Sequence, residues 1–498
     1  MVDGGWRLLW AVAVSGLLLS WAIEAALVPR SAVPWKRPWR ALVAHTGIFG
    51  VGFAIELLIF RRPIFGVLNL LLLQLLLVLV SNAKHRALRE PFVYQDIEYF
   101  LDALKHPRLY LPFINLWLIA LLAAAYAAAC VVAVRYEPAI FVSAADMLLL
   151  PGAVLVAALG MLASCKSAIL RGLSFDAASD LRRIGQLAYL WGYAVAEKEI
   201  PTRSDNTGWG QIPEGRRPDL VSIQSESFFD PRRYVPHLNA DILQQFDRLC
   251  AESVMHGHAQ VPAWGANTVR SEFAFLSGLG EHQLGVHRFN PYRRLAPAGT
   301  SSLARHLKSQ GYRTICLHPF HATFYRRADI IPILGFDEFI SLEDFDPADA
   351  SHPYYGDIPL GQRVLRELDA RTDQPLYVHV ITMENHGPLH WERVTDQDRQ
   401  AIAAGPLPPQ YDELVAYVRH LKNADAMFGQ MAEAFRSRAR QTSLCIFGDH
   451  IPIMRHVYDT YMPDGKTPFV IWSNYGQGKA VKQDLVLSDL ARTWLASL

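Results

Sequence analysis

An N-terminal domain of five transmembrane helices, followed by an α/β domain with a mainly parallel central sheet, is the architecture that the sequence predicts. Three observations carry it. Apolar runs rich in Leu, Ala and Val crowd the first third of the 498-residue chain, whereas the rest mixes charged and apolar residues. In that remainder, short apolar runs alternate with helix-like stretches, the pattern of strand and crossover-helix units. Four of the short runs also end in Glu, His or Asp, and in open parallel sheets ligands bind beyond the carboxyl ends of the strands.

The five apolar stretches are Trp6–Val28, Ala41–Phe60, Ile64–Val80, Leu111–Val134 and Met147–Ala163, each near the roughly 20 residues that span a bilayer. The first reads as an anchor and not a cleaved signal, because its run is long and further spans follow. Trp35, Trp39, Tyr110 and Tyr136 near the ends suit interfacial belts. Five spans put the two ends of the chain on opposite sides. Placing the C-terminal part outside leaves Arg7, Arg61, Arg62 and Arg135 inside. It also puts Arg30, Lys36, Arg37, Arg40, Lys84, Arg86, Arg89, Lys105 and Arg108 outside, against the positive-inside rule. Pro91–His106 mixes apolar and acidic residues at helical spacing (Phe92, Ile97, Phe100, Leu101, Leu104), which fits a helix on the membrane surface or a plain connecting helix.

Hydrophobicity falls from Lys166 to Arg217. Leu181, Ile184, Leu187 and Leu190 give one or two amphipathic juxtamembrane helices, and Thr202–Arg217, rich in Gly, Pro and charge, marks a domain boundary. The expected division is therefore a transmembrane domain over 1–165, juxtamembrane helices and linker over 166–217, and a catalytic domain over 218–498. A formal charge of +1 gives no footprint for nucleic acid. The five cysteines, Cys130, Cys165, Cys250, Cys316 and Cys445, are scattered, odd in number and without a CxxC. They read as small buried residues and not as a disulfide or zinc framework.

Within the last domain, Leu220–Ile223 leads into Glu226, Thr314–Leu317 into His318, Leu376–Ile381 into Glu384-Asn385-His386, and Leu444–Phe447 into Asp449-His450. Helical stretches lie between them at Ser302–Ser309, Gly361–Ala370 and Leu414–Arg436. Polar residues at four strand ends should converge in space. Glu226, Asp449 and His450 offer hard oxygen and imidazole ligands suited to Zn²⁺, Mn²⁺ or Mg²⁺, although Asp449-His450 alone also fits an ordinary turn. Trp264–Gly278, reading WGANTVRSEFAFLSG, carries apolar residues at Phe273, Leu276 and Leu279, a helix with one buried stripe and Thr268 at its start. Thr268 is there either a helix cap or a metal-activated nucleophile at an anion-binding terminus. His318, His321, Arg326 and Arg327 form a cation-rich cluster, either a solvated basic loop or a clamp for phosphate oxygens.

These residues resemble the lipoteichoic acid synthase and phosphoglycerol transferase family of the alkaline phosphatase/sulfatase superfamily. The motifs are SIQSESF around Glu226, ANTVRSEFAFLSG around Thr268, His318 to Arg327 followed by LGFDEF, TMENHGP around His386, FGDHIP around Asp449, and TPFVIWS at Thr467–Ser473. The resemblance spans the five helices, the linker and the catalytic domain, and so implies an alkaline phosphatase/sulfatase-like fold for the last. It implies that Thr268 is a nucleophile that transiently carries phosphoglycerol, and that Glu226, Thr268, Asp449 and His450 hold one divalent metal, Mn²⁺ foremost, with Mg²⁺ or Zn²⁺ as alternatives. His318, Tyr325, Arg327 and His386 match head-group positions, with tyrosine where the family usually has tryptophan. His386 is also a candidate acid or base, since imidazole titrates near neutrality. The implied donor is phosphatidylglycerol, the acceptor an envelope glycan or polymer, and the location a bacterial cytoplasmic (inner) membrane with the catalytic domain on the periplasmic or extracellular side.

A phosphoethanolamine transferase using phosphatidylethanolamine shares this plan and is the main alternative, with TVRSEF and NHGP closer to the phosphoglycerol branch. A membrane-anchored hydrolase of phosphodiesterase or sulfatase type is a further one. The sulfatase Cys/Ser-x-Pro-x-Arg context is absent at Thr268-Val269-Arg270, and a two-metal phosphatase would need more ligands than His386 and His456 add. A non-enzymatic scaffold would be expected to have lost at least one of the four metal positions.

Overall fold

The computed structural model describes residues 2–99, 116–140, 144–200, 208–212, 217–350, 354–370, 373–476 and 479–498. Phe100, Leu101, Leu104, Lys105, Arg108, Tyr110 and much of the Thr202–Arg217 boundary lie outside those residues. The chain forms two compact units, Met1–Glu199 and Ile200–Leu498.

In the first unit, four helices among the described residues are long and apolar enough to cross a membrane: Arg7–Ala26, Trp39–Phe60, Pro63–Leu88 and Leu148–Gly172. The remaining expected span falls on the helix Leu116–Tyr136, whose described part includes the shorter apolar stretch Ala123–Ala133. Leucines face outward along these helices, as at Leu18, Leu72 and Leu149, because lipid is as good a solvent for them as a core. The polar residues turn inward. Glu24 pairs with Arg37 and lies 3.5 Å from His45. The other ring nitrogen of His45 meets Ser20 at 2.8 Å, and the Ser20 hydroxyl donates to Gln74.

The same Glu24 carboxylate accepts the backbone N–H of Leu187. It thereby ties the first loop to the juxtamembrane helices Ala177–Ile184 and Gln186–Ala196. Gly185 between those helices has φ +78°, and a Cβ there would meet Arg37 Nη1 at 2.0 Å. Lys84 is held by Glu90 at 2.7 Å and Asp96 at 2.6 Å. Two of the cations that offend the positive-inside count, Arg37 and Lys84, are thus neutralised in folded structure and are not free loop charges.

The second unit is built on one sheet of β1 (Asp219–Ser225), β2 (Met255–Gln260), β3 (Arg313–Leu317), β4 (Glu338–Ile340), β5 (Leu376–Ile381), β6 (Thr442–Gly448), β7 (Lys466–Ser473), β8 (Val481–Lys482) and β9 (Leu485–Val486). Its order is β4-β3-β5-β1-β6-β7-β2-β8, with β9 also on β2. From β4 to β6 every pairing is parallel, and β6–β7 and β7–β2 are antiparallel. Val221 stands opposite Val378 on one side and Leu444 on the other. All residues of β1, β5 and β6 are buried, so both faces need mostly apolar side chains, and the polar Ser222 and His379 bond to each other at 2.8 Å. Val221, Ile223, Val378 and Ile446 pack on one face with the helix Asp412–Ser437. Leu220, Tyr377, Cys445 and Phe447 pack on the other with the helices Thr268–Ser277 and Leu487–Ala496.

One expectation fails in an informative way. The helix Thr268–Ser277 has no single buried stripe: all ten of its residues are buried, because it is sandwiched between the sheet and the C-terminal helix. Cys165, Cys316 and Cys445 are buried, Cys130 and Cys250 partly so, and all are free thiols.

At Gly448, where β6 ends, a Cβ would sit 2.0 Å from the backbone oxygen of Phe228. Gly448→Ala should therefore destabilise the second unit by about 3 kcal/mol or more, since backbone cannot move aside as a side chain can. Thermal unfolding of the detergent-solubilised chain measures this, and an unchanged transition would show that the strand end is plastic.

Candidate functional site

β3, β5, β1 and β6 are neighbours and parallel, so the residues just past their carboxyl ends fall side by side. β1 delivers Glu226 and β6 delivers Asp449 and His450. These three are buried, and they present ligand atoms that all lie within 4.8 Å of one another. Among the described residues this is the one such group of three, and His456 lies outside it.

The chain bends sharply at Ser227, a non-glycine residue with φ +53°. That strained turn aims its N–H at Asp449 Oδ1 (2.8 Å) and its hydroxyl at Glu226 Oε1 (2.8 Å). His450 donates Nδ1–H to the carbonyl of Ile451 at 3.1 Å, which turns Nε2 toward the two carboxylates. Nε2 lies 3.6 Å from Glu226 Oε1 and 3.5 Å from Asp449 Oδ2.

The donor set fits a divalent cation on the structure's own terms. Asp449 is wholly buried, and its Oδ2 has no hydrogen-bond partner. Burial, reinforced by the charge of Glu226, pushes its carboxyl up to about 7. Buried negative charge of this kind is relieved by a metal. Two carboxylates and a neutral imidazole are ligands for Zn²⁺, Mn²⁺ or Mg²⁺.

Thr268 is the first residue of its helix, and its hydroxyl donates to Glu226 Oε2 at 3.5 Å. The N-cap position is Asn267, in left-handed conformation (φ +67°), and no side chain caps this helix. Thr268 is therefore not the cap, and its hydroxyl lies at an uncapped helix N-terminus beside the acidic cluster, where an anion is favoured.

The cation-rich cluster divides. His321 and Arg326 are half-exposed and face Glu343 and Asp329. His318 and Arg327 are buried. The Arg327 guanidinium pairs with Glu272 through Nη2 at 2.7 Å and Nε at 3.2 Å. Its Nη1 donates to His318 Nε2 at 3.1 Å, and His318 Nδ1 donates to the carbonyl of Ile381 at 3.1 Å. Burial and the Arg327 charge hold the His318 imidazole well below its usual range. Tyr325 lies under the Arg327 guanidinium, 5.3 Å from the ring centroid. The arginine fork expected to face a phosphate is thus turned to Glu272, because a cation 1% exposed needs a buried counter-charge. His386, half-buried, donates Nδ1–H to the carbonyl of Gly387 at 2.7 Å, leaving Nε2 as an acceptor.

Sequence reasoning missed Ser227, Glu272 and a second acidic pair. The available signal for Glu272 was one carboxylate in an otherwise apolar stretch, four residues after Thr268. The pair is Asp357 and Glu384, both buried, with the backbone N–H of Asp357 donating to Glu384 at 2.6 Å. Neither carboxylate oxygen of Asp357 has a hydrogen-bond partner, and burial with the nearby charges of Glu384 and Glu226 raises its carboxyl well above the usual range.

The family described as Sulfatase matches residues 218–498, more than half of the chain. RkpI of Rhizobium meliloti, a capsular polysaccharide biosynthesis protein, is 26% identical over 452 residues, 86% of this chain and 81% of its own. A putative cyclic beta-1,2-glucan modification protein of the same organism is 27% identical over 277 residues, 52% of this chain and 42% of its own. The integral membrane lipooligosaccharide phosphoethanolamine transferase A of Neisseria meningitidis has the same fold. It aligns with a TM-score of 0.57 at 14% identity, over 98% of this chain and 94% of its own.

Ser227→Ala should weaken metal retention by about 10- to 100-fold, read by elemental analysis after dialysis; full retention would show that its hydroxyl orients nothing. Loading should also release protons. With the Asp449 carboxyl at about 7, Mn²⁺ binding should release more protons at pH 6 than at pH 8. In the metal-free protein this carboxyl holds its proton more tightly when folded than when unfolded. Stability should accordingly fall as pH rises from the ordinary aspartate range through about 7, and added cation should restore it.

Proposed function

The chain belongs to the sulfatase family, and on that premise we propose that it is a membrane-anchored, metal-dependent phosphoglycerol transferase. In this reading it moves the head group of phosphatidylglycerol, through a covalent Thr268 intermediate, to an envelope glycan or polymer. The observation that carries the reading is the Thr268 hydroxyl at an uncapped helix start, 3.5 Å from a buried carboxylate of the metal-type cluster. The Cys/Ser-x-Pro-x-Arg context of sulfatases is absent, so family membership brings the fold and not sulfate-ester hydrolysis.

In the proposed mechanism Glu226, Thr268, Asp449 and His450 form the metal site. A divalent cation there, Mn²⁺ foremost, would lower the hydroxyl pKa and offset charge on phosphoryl oxygens. The Thr268 hydroxyl releases its proton, its oxygen attacks phosphorus, the bond to the diacylglycerol oxygen breaks, and that oxygen takes up one proton, so that none is gained or lost in the step. The helix N-terminus favours the phosphodiester now on Thr268. An acceptor hydroxyl then gives its proton to Nε2 of His386 and attacks phosphorus, and the Thr268 oxygen leaves and is reprotonated. His318, Tyr325 and His386 line the head-group position, and Arg327, its fork turned to Glu272, holds His318 and Tyr325 in place.

We take residues 1–165 as the membrane domain, with Leu116–Tyr136 as its fifth span, 166–217 as the connection and 218–498 as the catalytic domain, on the outer face of the cytoplasmic membrane. RkpI is described as a capsular polysaccharide biosynthesis protein and the second relative as a putative cyclic beta-1,2-glucan modification protein, which supports a glycan acceptor.

A phosphoethanolamine donor is the second reading. Asp357 favours it: a buried carboxylate without a hydrogen-bond partner, near Glu226, would suit an ammonium group.

Intact mass spectrometry after incubation with Mn²⁺ and phosphatidylglycerol or phosphatidylethanolamine tests both. A phosphoglycerol adduct on the Thr268 peptide is expected, and a phosphoethanolamine adduct would move the protein to the second reading. Thr268→Ala should lower transfer by about 10³-fold or more with unfolding unchanged. Undiminished transfer by that variant would remove the covalent route.

A further inference from the structure

Glu272 lies on the helix that begins with Thr268, one turn further on and on the same face. It is fully buried in a helix whose other neighbours are mostly apolar. One oxygen accepts from Arg327 Nη2 and Nε, and the other accepts from the Tyr292 hydroxyl. Arg327 passes the connection on: its Nη1 holds His318 Nε2, and its guanidinium covers the Tyr325 ring. The segment that carries these groups needs such an anchor. Tyr325 and Arg326 are both in the left-handed region, φ +53° and +56°, a conformation that persists in non-glycine residues only when the surroundings enforce it.

We infer that Glu272 is a positioning residue. Through Arg327 it sets the distance from the Thr268 hydroxyl to the groups that receive the head group, His318 and Tyr325. This rests on the reading above that those groups bind the donor, and it adds an element to it. Arg327 acts as the link between nucleophile helix and head-group loop, so that the two parts of the site move as one piece. The pair also leaves His318 neutral, with both ring nitrogens engaged, so that it offers a fixed surface to the head group.

The test is a double-mutant cycle in the full-length, detergent-solubilised protein. Glu272→Gln leaves Arg327 buried without a counter-charge. It should raise the KM for phosphatidylglycerol at least tenfold and change kcat less, with Glu272→Asp recovering part of the loss. Arg327→Met should have a similar effect, and Glu272→Gln with Arg327→Met no larger one. Additive losses, or an unchanged KM in Glu272→Gln, would overturn the inference. The double variant removes both buried charges and so guards against a single variant that does not fold.

A second measurement does not depend on the donor. In ¹⁵N-histidine spectra, with the His318 signal identified by its loss in His318→Gln, Nε2 should appear as a hydrogen-bond acceptor and shift in the folded double variant. An Nε2 signal that is the same in both proteins would overturn the inference. If wild-type protein forms no phosphoglycerol adduct while the His318 signal moves as expected, the donor assignment has failed and the positioning role stands.

Discussion

Negative charge buried at the ends of parallel strands is the constraint from which the second unit follows. Glu226 and Asp449 lie within reach of each other with only an imidazole between them, an arrangement that a folded chain holds only if the backbone gives it no alternative. Hence the strained Ser227, which lends one carboxylate its N–H and the other its hydroxyl. The same constraint explains Gly448, where the backbone of Phe228 passes too close for any side chain. It also explains why β1, β5 and β6 are buried to their last residues: the sheet excludes water up to the point where a cation would replace it.

A second buried charge system obeys the same rule and solves it internally. Arg327 needs an anion because it is out of water, and Glu272 supplies one from the helix that begins at Thr268. In the first unit, Glu24 and Arg37 do likewise between helices and loop. The charge count along the first third is incomplete for this reason. Counting treats each Lys and Arg as a free loop charge facing an electrostatic choice of side, whereas Arg37 and Lys84 are already neutralised by Glu24, Glu90 and Asp96.

The strands at Leu220–Ile223, Thr314–Leu317, Leu376–Ile381 and Leu444–Phe447 were legible in the sequence because strands buried on both faces leave mostly apolar runs, here followed by Glu226, His318, Glu384 to His386, and Asp449-His450. The convergence of Glu226, Asp449 and His450 followed from that topology. β2 was not legible: His256, Gly257 and His258 break its apolar pattern, and it is fixed by antiparallel pairing with β7. The stripe assigned to Phe273, Leu276 and Leu279 was too narrow, because periodicity registers how apolar a helix is and not how many neighbours surround it. Ser271 and Glu272 are buried while polar, which a stripe analysis counts as exposure. The fates of His318 and Arg327 against His321 and Arg326 were likewise invisible, since four cationic residues in one loop look alike until the fold buries two of them.

The ten-residue helix that carries Thr268 has no free face. In the proposed transfer, a nucleophile mounted in this way is stationary: it cannot lean toward one substrate and back toward the next. Donor and acceptor would both have to travel to a fixed point. Selectivity is then a matter of access routes, built from surface loops that can be rewritten without touching the chemistry. Proteins sharing this interior can thus drift apart in what they decorate while keeping the same reactive centre.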